Sequence, residues 1–312
     1  MESECSKIRK LVNNHMIKKL SIPLKYIANH PLTKSNKWSG YFRFFKWQLN
    51  AKAHVQTINW FGDLKLNINK SMHGATGCIY VGLPEFNDMS FLLHFLKRDS
   101  FFIDIGANVG VYTLLASGHN KCQSISIEPI PQTYQYLNKN IELNQLKDKV
   151  NCLNIGLSKQ EEELYFTNDG DTVNHVVPNK ANNTTTVKVD TLDQIFPQQI
   201  TNDILLKIDV EGFEYNVLKG GNKVLKNKNV KAIIIELNGC SDRYGLNDGM
   251  VDELLIQNGF KKYDYNPFER SLTVLEKFHT EENTLYLRES ALEEISSQLK
   301  SATPFIIYGK NI

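Results

Sequence analysis

With 312 residues, 41% of them hydrophobic and 22% charged, the chain is long enough for one large α/β core plus an accessory segment, and its composition lies far from disordered or collagen-like extremes. A formal net charge of +2 gives the whole molecule no strong electrostatic reason to bind nucleic acid or an anionic membrane, while leaving room for a local patch. Five cysteines without Cys-x-x-Cys spacing argue against a zinc site or a disulfide framework and fit free thiols in a reducing compartment.

Residues 1–20 mix Glu, Lys and Arg with scattered apolar side chains and lack the unbroken apolar run of a secretory signal. No stretch approaches the roughly 20 apolar residues of a membrane-spanning helix, so a cytoplasmic protein without a membrane span is expected. Up to about Lys52 the pattern reads as two helical pieces separated by a loop at His30-Pro31. In this layer, Trp38-Ser39-Gly40-Tyr41-Phe42-Arg43-Phe44-Phe45-Lys46-Trp47 mixes aromatics with cations. It reads either as a docking patch for an acceptor, a lipid surface or a partner, or as a helix face packed on the core, the commoner use of aromatics.

From Thr57 to Gly82 the runs turn β-prone, and Leu64, Leu66 and Ile68 alternating with Lys65 and Asn67 predict an antiparallel hairpin. Phe86 to Leu96 has the spacing of an amphipathic helix. Strands and helices then alternate. Strands are expected at Phe101–Ile105, Ser124–Glu128, Val150–Ile155, Ile204–Asp209 and Ala232–Leu237, with helices after Val109, over Thr133–Asn144 and over Glu214–Leu225. Such alternation predicts a mostly parallel sheet covered on both faces. A helix over Met250–Gln257 precedes β-prone runs at Thr273–Leu275 and Thr284–Leu287, which would form a late antiparallel hairpin. The expected division is an accessory segment, 1–83, and a catalytic domain, 84–312.

The sharpest motif is Phe101-Phe102-Ile103-Asp104-Ile105-Gly106-Ala107-Asn108-Val109-Gly110. An apolar strand ends in Asp104, and a turn with two glycines opens a helix where backbone can lie close to a ligand. Asn108 stands where a dinucleotide-binding GxGxxG loop has its second glycine, and no GK[ST] follows, so NAD, FAD and nucleoside triphosphates fit poorly. S-adenosylmethionine (SAM), which has no phosphates and carries a cationic sulfonium and ammonium, suits an acid at the strand end and turn amides for its carboxylate. Glu128, before Pro129 at the end of the second strand, is placed to accept ribose hydroxyls. Taken singly, Asp104 could be a turn cap and Glu128 a surface carboxylate.

These segments, with Leu206-Lys207-Ile208-Asp209-Val210-Glu211-Gly212-Phe213-Glu214, Asn154-Ile155-Gly156-Leu157-Ser158, Val189-Asp190-Thr191-Leu192-Asp193 and Ile235-Glu236, resemble the FkbM-type methyltransferase family over about Gly82 to Asn238. The resemblance implies a Rossmann-like class I methyltransferase fold with a seven-stranded sheet. It also implies SAM as cofactor and a hydroxyl of a sugar, glycan or natural product as acceptor. Asp104, Gly106, Ala107, Asn108, Gly110, Glu128 and Pro129 would line the cofactor, and Asn154 to Gly156 would lie near the adenine.

An aliphatic hydroxyl attacks a methyl group only as its proton leaves, which calls for a base or a metal. At the end of the fourth strand, Asp209 is the expected base or metal ligand, with Lys207 tuning its charge and Glu236 as a second acid. Glu211 falls on the same side if the extended form persists. These charges also read as a buried network tying strand ends together. A divalent metal on Asp209, Glu236 and perhaps Asn238 is compatible with hard oxygen ligands. His175, in the polar stretch Thr167–Thr186, is a reserve base in a candidate lid. Methylation of an amine or carboxylate, and a non-catalytic SAM-binding module, stay as alternatives, although an Asn-Pro-Pro-Tyr motif for amine chemistry is absent.

Overall fold

A computed structural model describes residues 21–52, 54–168, 170, 173–197 and 199–312. The first expected helical piece lies partly outside these residues; its described part, 21–29, is helical, and the turn at His30-Pro31 separates it from α1, Lys37–Asn50. Hairpin strands β1 (Gln56–Asn59) and β2 (Lys65–Ile68) follow, paired antiparallel as the alternation predicts, with Leu64, Leu66 and Ile68 buried and Lys65 exposed. The rest of that stretch departs from expectation. His73–Tyr80 is a helix, α2, whose Ile79 had read as β-prone and which packs on α1, a case of tertiary contact overriding weak propensity. Helix α3, Phe86–Phe95, begins where expected but is not amphipathic, because buried side chains surround it on nearly every face.

The core strands are β3 (Phe101–Ile105), β4 (Gln123–Ile127) and β5 (Val150–Leu153). An inserted set follows, β6 (Gly156–Leu157), β7 (Glu162–Thr167), β8 (Val176–Val177) and β9 (Thr184–Asp190). The remaining strands are β10 (Ile204–Ile208), β11 (Val230–Glu236), β12 (Phe260–Asn266), β13 (Ser271–Val274) and β14 (Asn283–Arg288). One eight-stranded sheet has the order β13-β12-β14-β11-β10-β3-β4-β5, parallel from β11 through β5. The seven strands expected thus become eight, because β12 joins the sheet between β13 and β14. The two late β-prone runs do not pair with each other: β13 pairs with β12, and β14 runs antiparallel between β11 and β12.

Every residue of β10, Ile-Leu-Leu-Lys-Ile, is buried, as befits a central parallel strand covered on both faces. The expected helix 214–225 is two short helices, Glu214–Lys219 and Asn222–Lys226, interrupted at Gly220-Gly221, poor helix formers. β6 to β9 form a separate four-stranded sheet that sequence patterning did not reveal. One hydrophobic cluster joins Ile27, Phe44 and Leu66 to Phe91, Leu205 and Ile307, so packing is continuous across the 83/84 boundary. The described cysteines, Cys78, Cys122, Cys152 and Cys240, are free thiols. Among the described residues no helix is long and apolar enough to cross a membrane.

Candidate functional site

A cavity of about 540 Å³ opens at the carboxyl ends of β3, β4, β10 and β11, where an open parallel sheet presents its ligands. The turn after β3 forms one wall. Gly106 and Gly110 have φ of 82° and 89°, the left-handed region that glycine occupies without strain. At Gly106 a Cβ would collide with the Asp209 carbonyl oxygen, so the residue permits β3 and β10 to close at the site as well as exposing backbone to a ligand. Asn108 also has positive φ, 48°, and its own Oδ1 accepts from Val109 N at 2.7 Å.

The amides of this turn are committed internally. Gly106 N and Ala107 N both donate to Ile127 O, Asn108 N to Glu128 Oε2 at 3.0 Å, and Gly110 N to Ala107 O. The expectation that turn amides hold a ligand carboxylate is therefore not met. The same commitment removes the anion-binding nest that a pyrophosphate would need. Charge on this wall is borne by two acids. Asp104 is buried, its Oδ2 accepting from Thr113 N at 3.1 Å and Thr113 Oγ1 at 2.6 Å, which caps the following helix. Burial raises its carboxyl to about 6. Glu128 accepts from Ile130 N at 2.9 Å as well as from Asn108 N; burial raises it to about 7 against the lowering effect of those amide bonds.

The opposite wall concentrates charge. Lys207 is buried, with Nζ 3.1 Å from Asp209 Oδ2 and 3.2 Å from Asn283 Oδ1, and it faces the Tyr112 ring with 5.4 Å to the centroid. Burial pulls its pKa down, but the charge of Asp209, then that of Glu85, outweighs burial and holds the ammonium protonated. Asn283 Nδ2 donates to Glu85 Oε2 at 2.7 Å, and Tyr112 OH donates to the same carboxylate oxygen. Carboxylate oxygens of Asp209, Glu211 and Glu236 lie within 4.8 Å of one another. Burial, then the charge of Asp209, raises Glu236 well above the usual carboxylate range and Glu211 to about 7.

β10 ends at Ile208, so Glu211 joins this group through a turn and not by strand alternation. It carries φ of 55°, an uncommon conformation for a side chain of its size. Glu214 fixes that turn, its buried Oε1 accepting from Val210 N and Gly212 N at 3.1 Å each.

The methyltransferase FkbM domain profile matches residues 104–265, just over half of the chain. This chain belongs to the FkbM methyltransferase domain family. Methyltransferase sdnD of Sordaria araneosa is 28% identical over 171 residues, covering 43% of this chain and 65% of that one. Hexuronic acid methyltransferase AglP of Haloferax volcanii is 26% identical over 152 residues, 48% and 61% of the two chains. The chain thus spans less than two thirds of the length of either relative. The crystal structure of methyltransferase FkbM from Methylobacillus flagellatus KT superposes with a TM-score of 0.41 at 16% identity, over 62% of this chain and 44% of that one.

Of the FkbM residues expected at the site, Asp104, Gly106, Ala107, Asn108, Glu128, Pro129, Gly156, Lys207, Asp209, Glu211 and Glu236 all line the cavity. Gly110 and Asn154 stand behind the wall. Gly110 packs on Leu137, and Asn154 Nδ2 donates to the carbonyls of Glu128 and Pro129 at 2.8 and 3.1 Å, bracing the turn after β4 instead of facing the space. Asn238 lines the cavity, its Oδ1 accepting from Cys240 N and its amide donating to Glu236. Asp209, Glu211 and Glu236 have the hard oxygens a divalent cation prefers, although Lys207 already answers the charge of Asp209. His175 is not among the lining residues, and its Nδ1 lies 2.9 Å from Val173 O. Its neighbours Val173 and Asn174 do reach the cavity. Sequence reading missed Glu85 and Asn283, which no local motif marks. It also missed Tyr112, which lies just past the glycine turn.

Proposed function

We propose that this chain uses SAM to methylate a hydroxyl of a sugar or natural-product acceptor, with residues 84–312 as the catalytic part. One observation carries the proposal: two separate carboxylate sets, Asp104 with Glu128 and Asp209 with Glu211 and Glu236, face a single cavity. SAM fits the donor set at its cationic sulfonium and ammonium, which favour a wall of acids, while a phosphate would not. Bound there, it supplies an electrophilic methyl group.

The chain's own residues supply positioning and proton transfer. Glu128, fixed by two backbone amides, is aimed to accept ribose hydroxyls. Val111, Val210 and Phe213 add apolar lining between the acids, which would help keep water out once both substrates are bound. Asp209 receives the acceptor's proton; Lys207, cationic and 3.1 Å away, orients it. Glu236, its proton retained by burial beside Asp209, spares the site another negative charge. The relative whose name specifies a hexuronic acid supports a sugar-class acceptor.

The test is methyl transfer from labelled SAM to a panel of neutral hexosides and uronic acids, with and without EDTA. Asp209→Asn should lose about 100-fold or more in turnover, the usual worth of a general base, while calorimetric affinity for S-adenosylhomocysteine stays within about twofold. Full activity in that variant refutes the base assignment. Label released by mild alkali would mean a methyl ester and overturn the hydroxyl acceptor. Loss of activity with EDTA would bring in a metal at the carboxylate trio.

A further inference from the structure

We propose that the outer face of α1 docks on an anionic lipid bilayer. The inner face of this helix accounts for only half of its aromatics. Gly40, Phe44 and Trp47 are buried, and Phe44 meets Tyr80 edge-on with ring centroids 5.1 Å apart. Arg43 donates from Nε and Nη2 to Tyr80 O at 2.9 and 2.6 Å and lies over the Tyr308 ring. These contacts fix the rotation of the helix.

That rotation sends four large apolar side chains outward. Trp38, Phe42, Phe45 and Leu49 are 73, 68, 47 and 86% exposed. At about 100° per residue, the spacing i, i+4, i+7, i+11 places all four within roughly 60° of arc, opposite the buried face. Single exposed hydrophobics are ordinary, whereas an aligned stripe marks an interaction surface. Among the described residues, the ring contacts of the stripe are with its own helix, Trp38 with Tyr41 and Phe45 with Phe44.

Charge selects the occupant. Between Glu4 and Asp63 the sequence contains no acidic residue, and over 21–62 the charged side chains are Lys25, Lys34, Lys37, Arg43, Lys46 and Lys52. Lys34, Lys37 and Lys46, on or just before α1, are exposed. The near-zero net charge of the molecule therefore hides a segregation, with the balancing acids elsewhere in the chain. Aromatic and aliphatic side chains along one line, flanked by cations and free of acids, match the boundary between anionic headgroups and acyl chains. A second copy meeting this face symmetrically would bring cation against cation without an acid to answer it. α1 rests on α2, whose Gly74 lines the cavity, so docking would hold the cavity close to the bilayer.

The test uses the full chain with vesicles of phosphatidylcholine alone or with about a third phosphatidylglycerol. Trp38 is the most exposed tryptophan, since Trp47 is buried and Trp60 half-buried, so its emission reports the face. The protein should sediment with the anionic vesicles, its emission should shift to the blue, and high salt should release it. Phe42→Asp and Leu49→Asp should each weaken partitioning by at least about tenfold, and Lys34→Glu with Lys37→Glu should abolish the preference for phosphatidylglycerol. Circular dichroism and S-adenosylhomocysteine affinity should not change in these variants. No sedimentation with anionic vesicles, or equal sedimentation by the aspartate variants, overturns the proposal. Stripe variants that convert a dimer to a monomer without affecting vesicle binding also overturn it, in favour of a protein interface.

Discussion

The two walls of the cavity hold their shape in different ways. On the glycine-turn side, backbone amides are consumed by neighbouring carbonyls and by Glu128, so geometry is fixed by short-range bonds, and each acid has donors of its own. Across the cavity, Lys207, Asp209, Glu211 and Glu236 depend on one another, and the turn bearing Glu211 sits at φ 55° under the hold of Glu214. A bonded wall suits a ligand that must be held in one pose. A charge-balanced wall, in which moving one proton shifts every neighbour, suits a site where a proton must move.

The sharpest way to break this contrast is Gly106→Val, because a side chain there meets the Asp209 carbonyl and so strikes both walls. Positive φ and overpacking together should cost about 3–5 kcal/mol, read as a fall in the urea midpoint with cofactor affinity lost. A variant of wild-type stability would show that the walls do not meet there.

Next in size is a pH effect centred on Glu214. Burial raises this carboxyl from the usual 4.5 to about 7, so the folded state holds its proton more tightly than the unfolded chain does. Stability from this group is fully present below about pH 4.5 and is lost as pH rises through 7, by at most about 3 kcal/mol. Glu214→Gln should flatten the wild-type decline in melting temperature between pH 5 and 8. An unchanged slope would assign the decline to other acids.

The smallest expected effect is Glu128→Ala, which should weaken S-adenosylhomocysteine binding by about 1–2 kcal/mol in calorimetry, the worth of lost hydrogen bonds at a buried carboxylate. Unchanged affinity would remove Glu128 from the cofactor wall.

What could be read in advance followed range of contact. β3 was placed to the residue at Phe101–Ile105, because an apolar run ending in Asp-x-Gly is a local signal. Asp104, Glu128 and Asp209 were legible for the same reason, each standing at or beside a strand end. The four-stranded insertion was not, since its strands β7 and β9 are half-exposed and carry only weak alternation. Glu85 and Asn283 were invisible because their bond spans 198 positions, and neither lies in a motif. The buried character of α3 was missed because its Asp88, Ser90 and His94 imitate a polar face although the fold encloses Ser90 and His94. The aromatic run on α1 was open to two readings; one side of the helix packs on the core, and the other is exposed.

The position of β14 bears on any attempt to dissect this molecule. Similarity to the family stops at residue 265, yet the strand that separates β11 from β12 begins at Asn283, whose amide serves Lys207 and Glu85 at once. An excised 104–265 fragment would expose raw edges on both neighbours and strip the central lysine of an acceptor. The smallest portable unit is therefore set by closure of the sheet, and a shuttle or chimera cut at the limit of recognisable sequence should be insoluble, while one that runs from before Glu85 through Arg288 keeps its centre whole.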